Sequence, residues 1–177
     1  MTTLRATSVF GVLSAFLLAL GGCGGASKDE AIRFNDAMVD ADKRFVASAK
    51  DFLDAAAAAV NGGVMELTLV KRAYEACVEA VERMRADAKT LKVPKGKTSQ
   101  AFYDAYLAVV AQREELVKED FRIIMKVLED PALMPQERAR KLMPSARYLN
   151  NLDHSADRQV KIAQVAFASE FGFQLKK

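Results

Sequence analysis

Few residues in this chain could take part in a reaction or hold a cofactor. His154 is its one histidine, and Cys23 and Cys77 are its two cysteines. Covalent haem needs Cys-x-x-Cys-His, and a di-iron helical bundle needs two Glu-x-x-His pairs. Neither pattern is present. On a helix, His154 would lie about 200° from the apolar positions Leu152 and Ala156, which predicts a solvent-exposed imidazole. We therefore predict no enzyme, no metal and no cofactor.

One predicted helix places charged residues among its apolar positions. At about 100° per residue, Arg113 and Asp120 fall within the same arc as Phe102 and Ile124. They are about 10.5 Å apart along the axis, so we consider Gln159 on the last helix as a possible relay in a polar core cluster. The side chains could instead extend to the edge of a narrow apolar seam. A polar pocket or partner-docking spot and a buried network that fixes helix register are the other interpretations.

The positions of these residues depend on the helices predicted along the chain. Ser27-Lys28-Asp29-Glu30 has the spacing of a capping box, so helix one should begin there and end at Asn61-Gly62-Gly63. Its apolar face comprises Phe34, Met38, Ala41, Phe45, Phe52, Ala56 and Ala59.

Helix two has the most regular apolar spacing, with unbroken steps of three and four residues that are typical of a bundle seam. These positions are Leu67, Val70, Tyr74, Cys77, Val81, Met84, Ala88 and Leu91. Cys77 lies in the middle of this pattern, where a free cysteine behaves as a small apolar residue. We predict that it is a buried packing residue.

After a turn at Val93-Pro94-Lys95-Gly96, Thr98 or Ser99 can cap helix three, which we expect to run to about Glu129. Its apolar positions are Phe102, Tyr106, Val109, Leu116, Val117, Ile124 and Val127. Pro131, Pro135 and Pro144 then predict an elbow, in which Pro135 could open a short helix. The last helix carries Leu149, Leu152, Ala156, Val160, Ala163 and Phe167.

Composition favours helices over strands, and 177 residues suffice for one domain. Together with the four segments, this predicts an all-α fold, an up-down-up-down four-helix bundle with a Pro-rich elbow before the last helix. The 26 basic residues barely exceed the 23 acidic ones, so the chain lacks the clustered positive charge of a nucleic-acid-binding protein.

The first residues have the three-part layout of a signal peptide. Arg5 precedes an apolar stretch from Val9 to Leu20, which is shorter than the roughly 20 residues that a membrane-spanning helix needs. Leu20-Gly21-Gly22-Cys23 resembles the lipobox of bacterial lipoproteins. The resemblance implies a diacylglycerol on the Cys23 thiol and cleavage just before it. The alternative is an ordinary leader cut later, with Cys23 incidental.

The resemblance implies a cleaved leader at residues 1–22 and a lipidated Cys23 with a short tether at 23–27, and the helical periodicity predicts a single domain at 28–177. Lipidation would anchor the protein to the bilayer of the cell envelope. Gly24 departs from the Asp that retains lipoproteins in the inner membrane, which favours the outer membrane, facing the periplasm, if the organism is Gram-negative.

We predict a non-catalytic binding or structural module with an unidentified envelope protein partner. The alternative is a helical bundle that binds a small ligand or cofactor. The mature part resembles no characterised family.

The predicted topology also gathers lysines at the membrane-facing end. The loop after helix two and the chain terminus should both lie there, and they carry Lys89, Lys92, Lys95, Lys97, Lys176 and Lys177. These lysines could contact an anionic surface. The ordinary explanation is that basic residues favour helix C-termini.

Overall fold

A computed structural model describes residues 26–60, 64–150 and 155–175, and every regular element within these ranges is helical. The elements are α1 (Lys28–Ala59), α2 (Val64–Thr90), α3 (Ser99–Leu116), a π-helical turn (Val117–Phe121, the π turn), α4 (Arg122–Glu129), α5 (Pro135–Asn150) and α6 (Ser155–Phe171). The prediction of an all-α fold is confirmed. Cys23, the turn at Gly62-Gly63, His154, Lys176 and Lys177 lie outside the described residues, so their predicted roles stay predictions.

The predicted start of α1 is confirmed by its capping. Ser27 has an extended backbone, and its Oγ accepts a hydrogen bond from the Glu30 amide at 3.2 Å. The bond satisfies one of the amides that a helix leaves unpaired in its first turn. All members of the predicted apolar face are buried, together with Ala31 and Asn35.

The apolar pattern of α2 packs against α1. Arg44 of α1 meets Asp87 of α2, and Phe52 packs on Tyr74 with ring centroids 5.9 Å apart, so the two helices run antiparallel. Cys77 is fully buried, which confirms its predicted packing role. The other buried positions of the pattern are Val70, Val81, Met84 and Ala88.

The long third helix is continuous, but the π turn changes its phase. A π turn inserts one extra residue, so positions beyond it no longer follow 100° per residue from Arg113. Phe121 takes the core position that the helical projection of the sequence assigned to Asp120. The centroids of the Phe121 and Phe52 rings are 4.5 Å apart. Asp120 therefore lies off the apolar stripe to which the constant phase assigned it, whereas Ile124, assigned to the same stripe, is buried as predicted.

The predicted elbow contains a full helix. The Met134 amide donates to Glu137 Oε2 at 3.0 Å, and Pro135 stands at the first helical position, where its missing N–H costs nothing. α5 continues through Pro144 to Asn150. The last helix begins at Ser155 instead of near Leu149, which lies at the end of α5. The prediction of a short helix followed by one longer last helix is corrected accordingly.

The core has two aromatic groups. Phe34, Phe102 and Phe167 join α1, α3 and α6, with centroid distances of 5.0 to 6.0 Å. Phe52 and Phe121 form the second group, beside Tyr74. Each buried ring contributes about 1.5 to 3 kcal/mol of hydrophobic free energy, so these groups stabilise the packing between helices.

Candidate functional site

The start of α1 lies beside the loop between α2 and α3. The Ala26 amide donates a hydrogen bond to the Lys95 carbonyl at 3.3 Å. Ala26 directly precedes the cap residue Ser27, so the beginning of the helical domain is tied to this loop. The lysines of the loop, Lys92, Lys95 and Lys97, are exposed, as is Lys89 in the last turn of α2.

The same loop is pressed against the end of α6 at Gly96. A Cβ atom on Gly96 would lie 2.6 Å from Cζ of Phe171 and 2.7 Å from Oγ of Ser99. Real Cβ atoms essentially never approach other atoms this closely, so a side chain here would displace the Phe171 ring. The loop therefore holds a defined position on the domain.

Glu170 of α6 caps the start of α3. Its two carboxylate oxygens accept hydrogen bonds from the Lys97 amide at 2.7 Å and the Thr98 amide at 2.8 Å, and Thr98 Oγ1 donates to it as well. Thr98 makes no capping bond of its own, so a carboxylate from another helix supplies the acceptor. These hydrogen bonds, that of the Thr98 hydroxyl first, hold the pKa of Glu170 below its usual value.

A tight turn ends α6 at this side of the molecule. Gly172 has φ +66°, its amide donates to the Ser169 carbonyl, and the Phe173 amide donates to the Ala168 carbonyl. This is a Schellman motif. The Phe173 ring packs on the Phe167 ring, with ring centroids 5.9 Å apart. The described chain ends two residues later, at residue 175.

These contacts define a surface that we call the basic end: Lys92, Lys95 and Lys97 around Ala26 and the end of α6. Lys89 lies farther along α1, because its neighbours Thr90 and Leu91 line a cleft with Ala37 and Asp40, about ten residues beyond Ala26. None of the four lysines has an ion pair within 4.0 Å among the residues that the structure describes. The structure thus places Lys95, and the loop that also carries Lys92 and Lys97, beside the start of α1. Lys176, which follows residue 175, and Lys177 are outside the described part.

A second polar feature surrounds Arg113, whose side chain is 13% exposed. Its Nε lies 3.3 Å from Asp42 Oδ1 on α1, and its Nη2 lies 2.6 Å from Asp157 Oδ1 on α6. The guanidinium carbon also lies 5.7 Å from the centroid of the Phe45 ring, within cation–π range. Arg113 thus joins three helices through charge.

The partners considered for Arg113 from the sequence lie elsewhere. Asp120 is half-buried on the π turn, where burial, Glu115 and Glu119 raise the pKa of its carboxyl group. Gln159 is exposed on α6, and among the described ion pairs Arg113 has only Asp42 and Asp157. The π turn accounts for the displacement of Asp120. Both partners were missed, although the position of Asp42 next to the apolar position Ala41 was a signal available in the sequence.

A further buried polar contact was also missed. Asn35 is 6% exposed within the apolar face of α1, and its Oδ1 accepts a hydrogen bond of 2.7 Å from Gln164 on α6. The signal was a polar residue between the core positions Phe34 and Met38. This bond adds a second polar link between α1 and α6.

A cleft of about 300 Å³, the Tyr106 cleft, lies between α1 and α2. Tyr106 is the α3 residue among those that line it, and the side chain is 2% exposed. Its hydroxyl has no hydrogen-bond partner within the described part of the chain. Burial, followed by the charge of Asp42, raises the pKa of the phenol, which therefore stays neutral. The remaining lining residues are Ala37, Asp40, Arg44, Asp87, Thr90 and Leu91.

Two kinds of chemistry find no support in the described residues. Burial raises the pKa of the Cys77 thiol to about 12, so it has almost no thiolate at neutral pH and no access to a substrate. No group of His, Cys, Asp and Glu side chains within residues 26–60, 64–150 and 155–175 could hold a metal ion.

No helix in the described ranges combines the length and apolar character needed to cross a bilayer. Comparison with known proteins gives no family: no protein-family model, no curated protein and no solved structure matches this chain.

Proposed function

We propose that this protein is a bacterial lipoprotein, anchored to a membrane of the cell envelope through Cys23, with a helical domain that serves as a non-catalytic binding or structural module. The observation that carries the proposal is the order of features at the start of the chain. An apolar stretch leads into Leu20-Gly21-Gly22-Cys23, and the capped start of α1 follows at Ser27. A signal peptide, a lipidation site and a tether need that order.

The domain is proposed to follow an up-down-up-down path. α1 leaves the anchor, α2 returns, α3 and α4 lead away, and α6 returns after α5. The bonds Ala26–Lys95 and Glu170–Thr98 support this path, because they join the start of α1 to the loop after α2 and to the end of α6. Gly24 favours the outer membrane in a Gram-negative cell.

The binding or structural role is supported by what the charged groups do. Arg113, Asp42 and Asp157 hold helices together, and the Cys77 thiol is inaccessible. Arg113, Asp42 and Asp157 thus connect helices, which is the role expected of a structural or binding module. The proposed partner is another component of the envelope, reached from the membrane surface.

Metabolic labelling with a fatty acid, in a bacterium that processes lipoproteins, tests the anchor. We expect label on the wild-type protein and none on Cys23→Ser. Cys77→Ala is the matched control, since it removes the other cysteine and should keep the label. Circular dichroism would verify that both variants are folded. Equal labelling of wild type and Cys23→Ser would overturn the proposal.

The second candidate is a domain that binds a small ligand, and one observation favours it. An unpartnered buried hydroxyl costs free energy, and a ligand in the Tyr106 cleft would supply the missing partner. Native mass spectrometry of the purified protein would show a bound small molecule, and Tyr106→Phe would weaken its retention. A protein that carries no bound mass, with Tyr106→Phe at least as stable as wild type, would contradict this candidate.

A further inference from the structure

We infer that the basic end is a docking surface for the anionic headgroups of the bilayer in which Cys23 is anchored. The inference rests on the proposed function, because lipidation is what brings this surface to a membrane. It adds an orientation: the domain stands with the α2–α3 loop against the lipid instead of tumbling on its tether.

A short stretch of chain separates Cys23 from the lysine-bearing loop. Ala26 is hydrogen-bonded to Lys95, and Cys23 is only three residues earlier in the chain. Three residues span at most about 11 Å when fully extended. A lipid attached to Cys23 therefore keeps the membrane surface within reach of this loop, at a distance comparable with the screening length of about 8 Å at physiological salt.

The basic end carries exposed lysine charges. Lys92, Lys95 and Lys97 are exposed and have no ion pair within 4.0 Å among the described residues. Lys97 also interacts electrostatically with Glu170, so the charges of Lys92 and Lys95 are the least engaged within the domain. By contrast, Lys71 on the first half of α2 is paired with Glu129 at 3.0 Å. At the basic end Lys28, Lys92, Lys95 and Lys97 stand against Asp29, Glu30 and Glu170, an excess of one positive charge among these residues.

The loop of the basic end is held in a fixed position. The loop is fixed by Gly96 against Phe171 and by the bonds from Lys97 and Thr98 to Glu170. Ordering a flexible loop costs conformational entropy on binding, and a loop that is already fixed avoids most of that cost. Charges on a fixed loop next to the anchor form a surface that is arranged before it meets the lipid.

The test measures partition of the full-length Cys23→Ser protein between water and vesicles. This variant cannot be acylated at position 23, so the result does not depend on whether the wild type is lipidated. Vesicles of phosphatidylglycerol and phosphatidylcholine are compared with vesicles of phosphatidylcholine alone. The apolar leader partitions into both, so the ratio of the two partition coefficients isolates the contribution of charge.

The loop variant is Lys92→Gln with Lys95→Gln and Lys97→Gln. Each lysine near an anionic surface contributes about a fivefold increase in affinity, so the three substitutions should lower the ratio about a hundredfold. The matched control replaces the same number of exposed lysines elsewhere, as Lys126→Gln with Lys141→Gln and Lys161→Gln. The control should lower the ratio far less.

Salt provides the independent readout. Raising the ionic strength from about 0.1 M to about 1 M shortens the screening length from about 10 Å to about 3 Å and should remove most of the preference for anionic vesicles. A ratio near one for the unsubstituted loop, or equal losses in the loop and control variants, would overturn the docking surface while leaving fatty-acid labelling to decide the anchor. An unlabelled wild-type protein, or equal labelling of wild type and Cys23→Ser, together with a salt-sensitive ratio would overturn only the anchor.

Discussion

Replacing Arg113 by Met should destabilise the domain by about 2 to 3 kcal/mol. The substitution leaves the carboxylates of Asp42 and Asp157 without their cation. Breaking a fully buried pair costs about 3 to 5 kcal/mol, and an exposed pair contributes about 0 to 1 kcal/mol. With Arg113 13% exposed and the two carboxylates 35% and 32% exposed, the cost lies between these limits. Loss of the cation–π contact with Phe45 adds about 0.5 to 1 kcal/mol.

Urea denaturation followed by circular dichroism measures this change, and the melting temperature should fall by about 5 to 10 °C for a domain of this size. Arg44→Met is the matched control. Its pair with Asp87, at 3.2 Å, is more than half exposed on both sides, so the expected loss is about 0.5 kcal/mol or less. A double-mutant cycle with Asp157→Asn should give a coupling of about 1 kcal/mol or more. Equal losses for the Arg113 and Arg44 variants, or no coupling, would refute the reasoning.

Three further predictions concern other groups. Cys77 should react slowly with a thiol reagent in the native protein and rapidly in denaturant, because burial raises the pKa of its thiol to about 12; rapid native labelling would show that the thiol is accessible. Glu170→Gln should lower stability near neutral pH. Since hydrogen bonds from Thr98 and Lys97 lower the pKa of Glu170, its contribution is present above the ordinary value of 4.5 and is lost as pH falls through the lower folded-state value. The denaturation free energies of wild type and variant should therefore converge in acid, and a constant difference at every pH would contradict this. Gly172→Ala should cost about 1 kcal/mol through its positive φ alone, because a Cβ there meets no atom within 4 Å; unchanged stability would contradict the left-handed conformation.

The helices that follow simple local rules were predictable from the sequence. The start of α1 depends on Ser27 and Glu30, which are three residues apart, and the buried face of α2 depends on a regular spacing of apolar residues. Both are set within one or two helical turns. For the same reason, the burial of Cys77 could be predicted without knowing what packs against it. The lipobox at Cys23 remains a prediction from the sequence.

The extent of α5 and the position of Asp120 were not predictable by the same reasoning. Pro144 is a residue that usually ends a helix, yet α5 continues through it. The π turn between Val117 and Phe121 moves Asp120 off the apolar stripe to which a constant angle of about 100° per residue assigned it, while Ile124 remains buried. It places the Phe121 ring against Phe52 of another helix. The favourable free energy of burying this ring exists only in the folded domain.

The helical character of the described ranges, the start of α1 and the apolar faces of α1 and α2 could be predicted from the residues alone, because hydrogen bonding and hydrophobic periodicity along a helix are local. The pairing of Arg113 with Asp42 and Asp157, and the contact of the lysine-bearing loop with Ala26 and Glu170, depend on the folded arrangement of the helices. Those partners lie on separate helices, and their distances depend on how the helices are aligned against one another. That alignment is set by the packing of side chains far apart in the chain, such as Phe34, Phe102 and Phe167, and not by the residues near each charge.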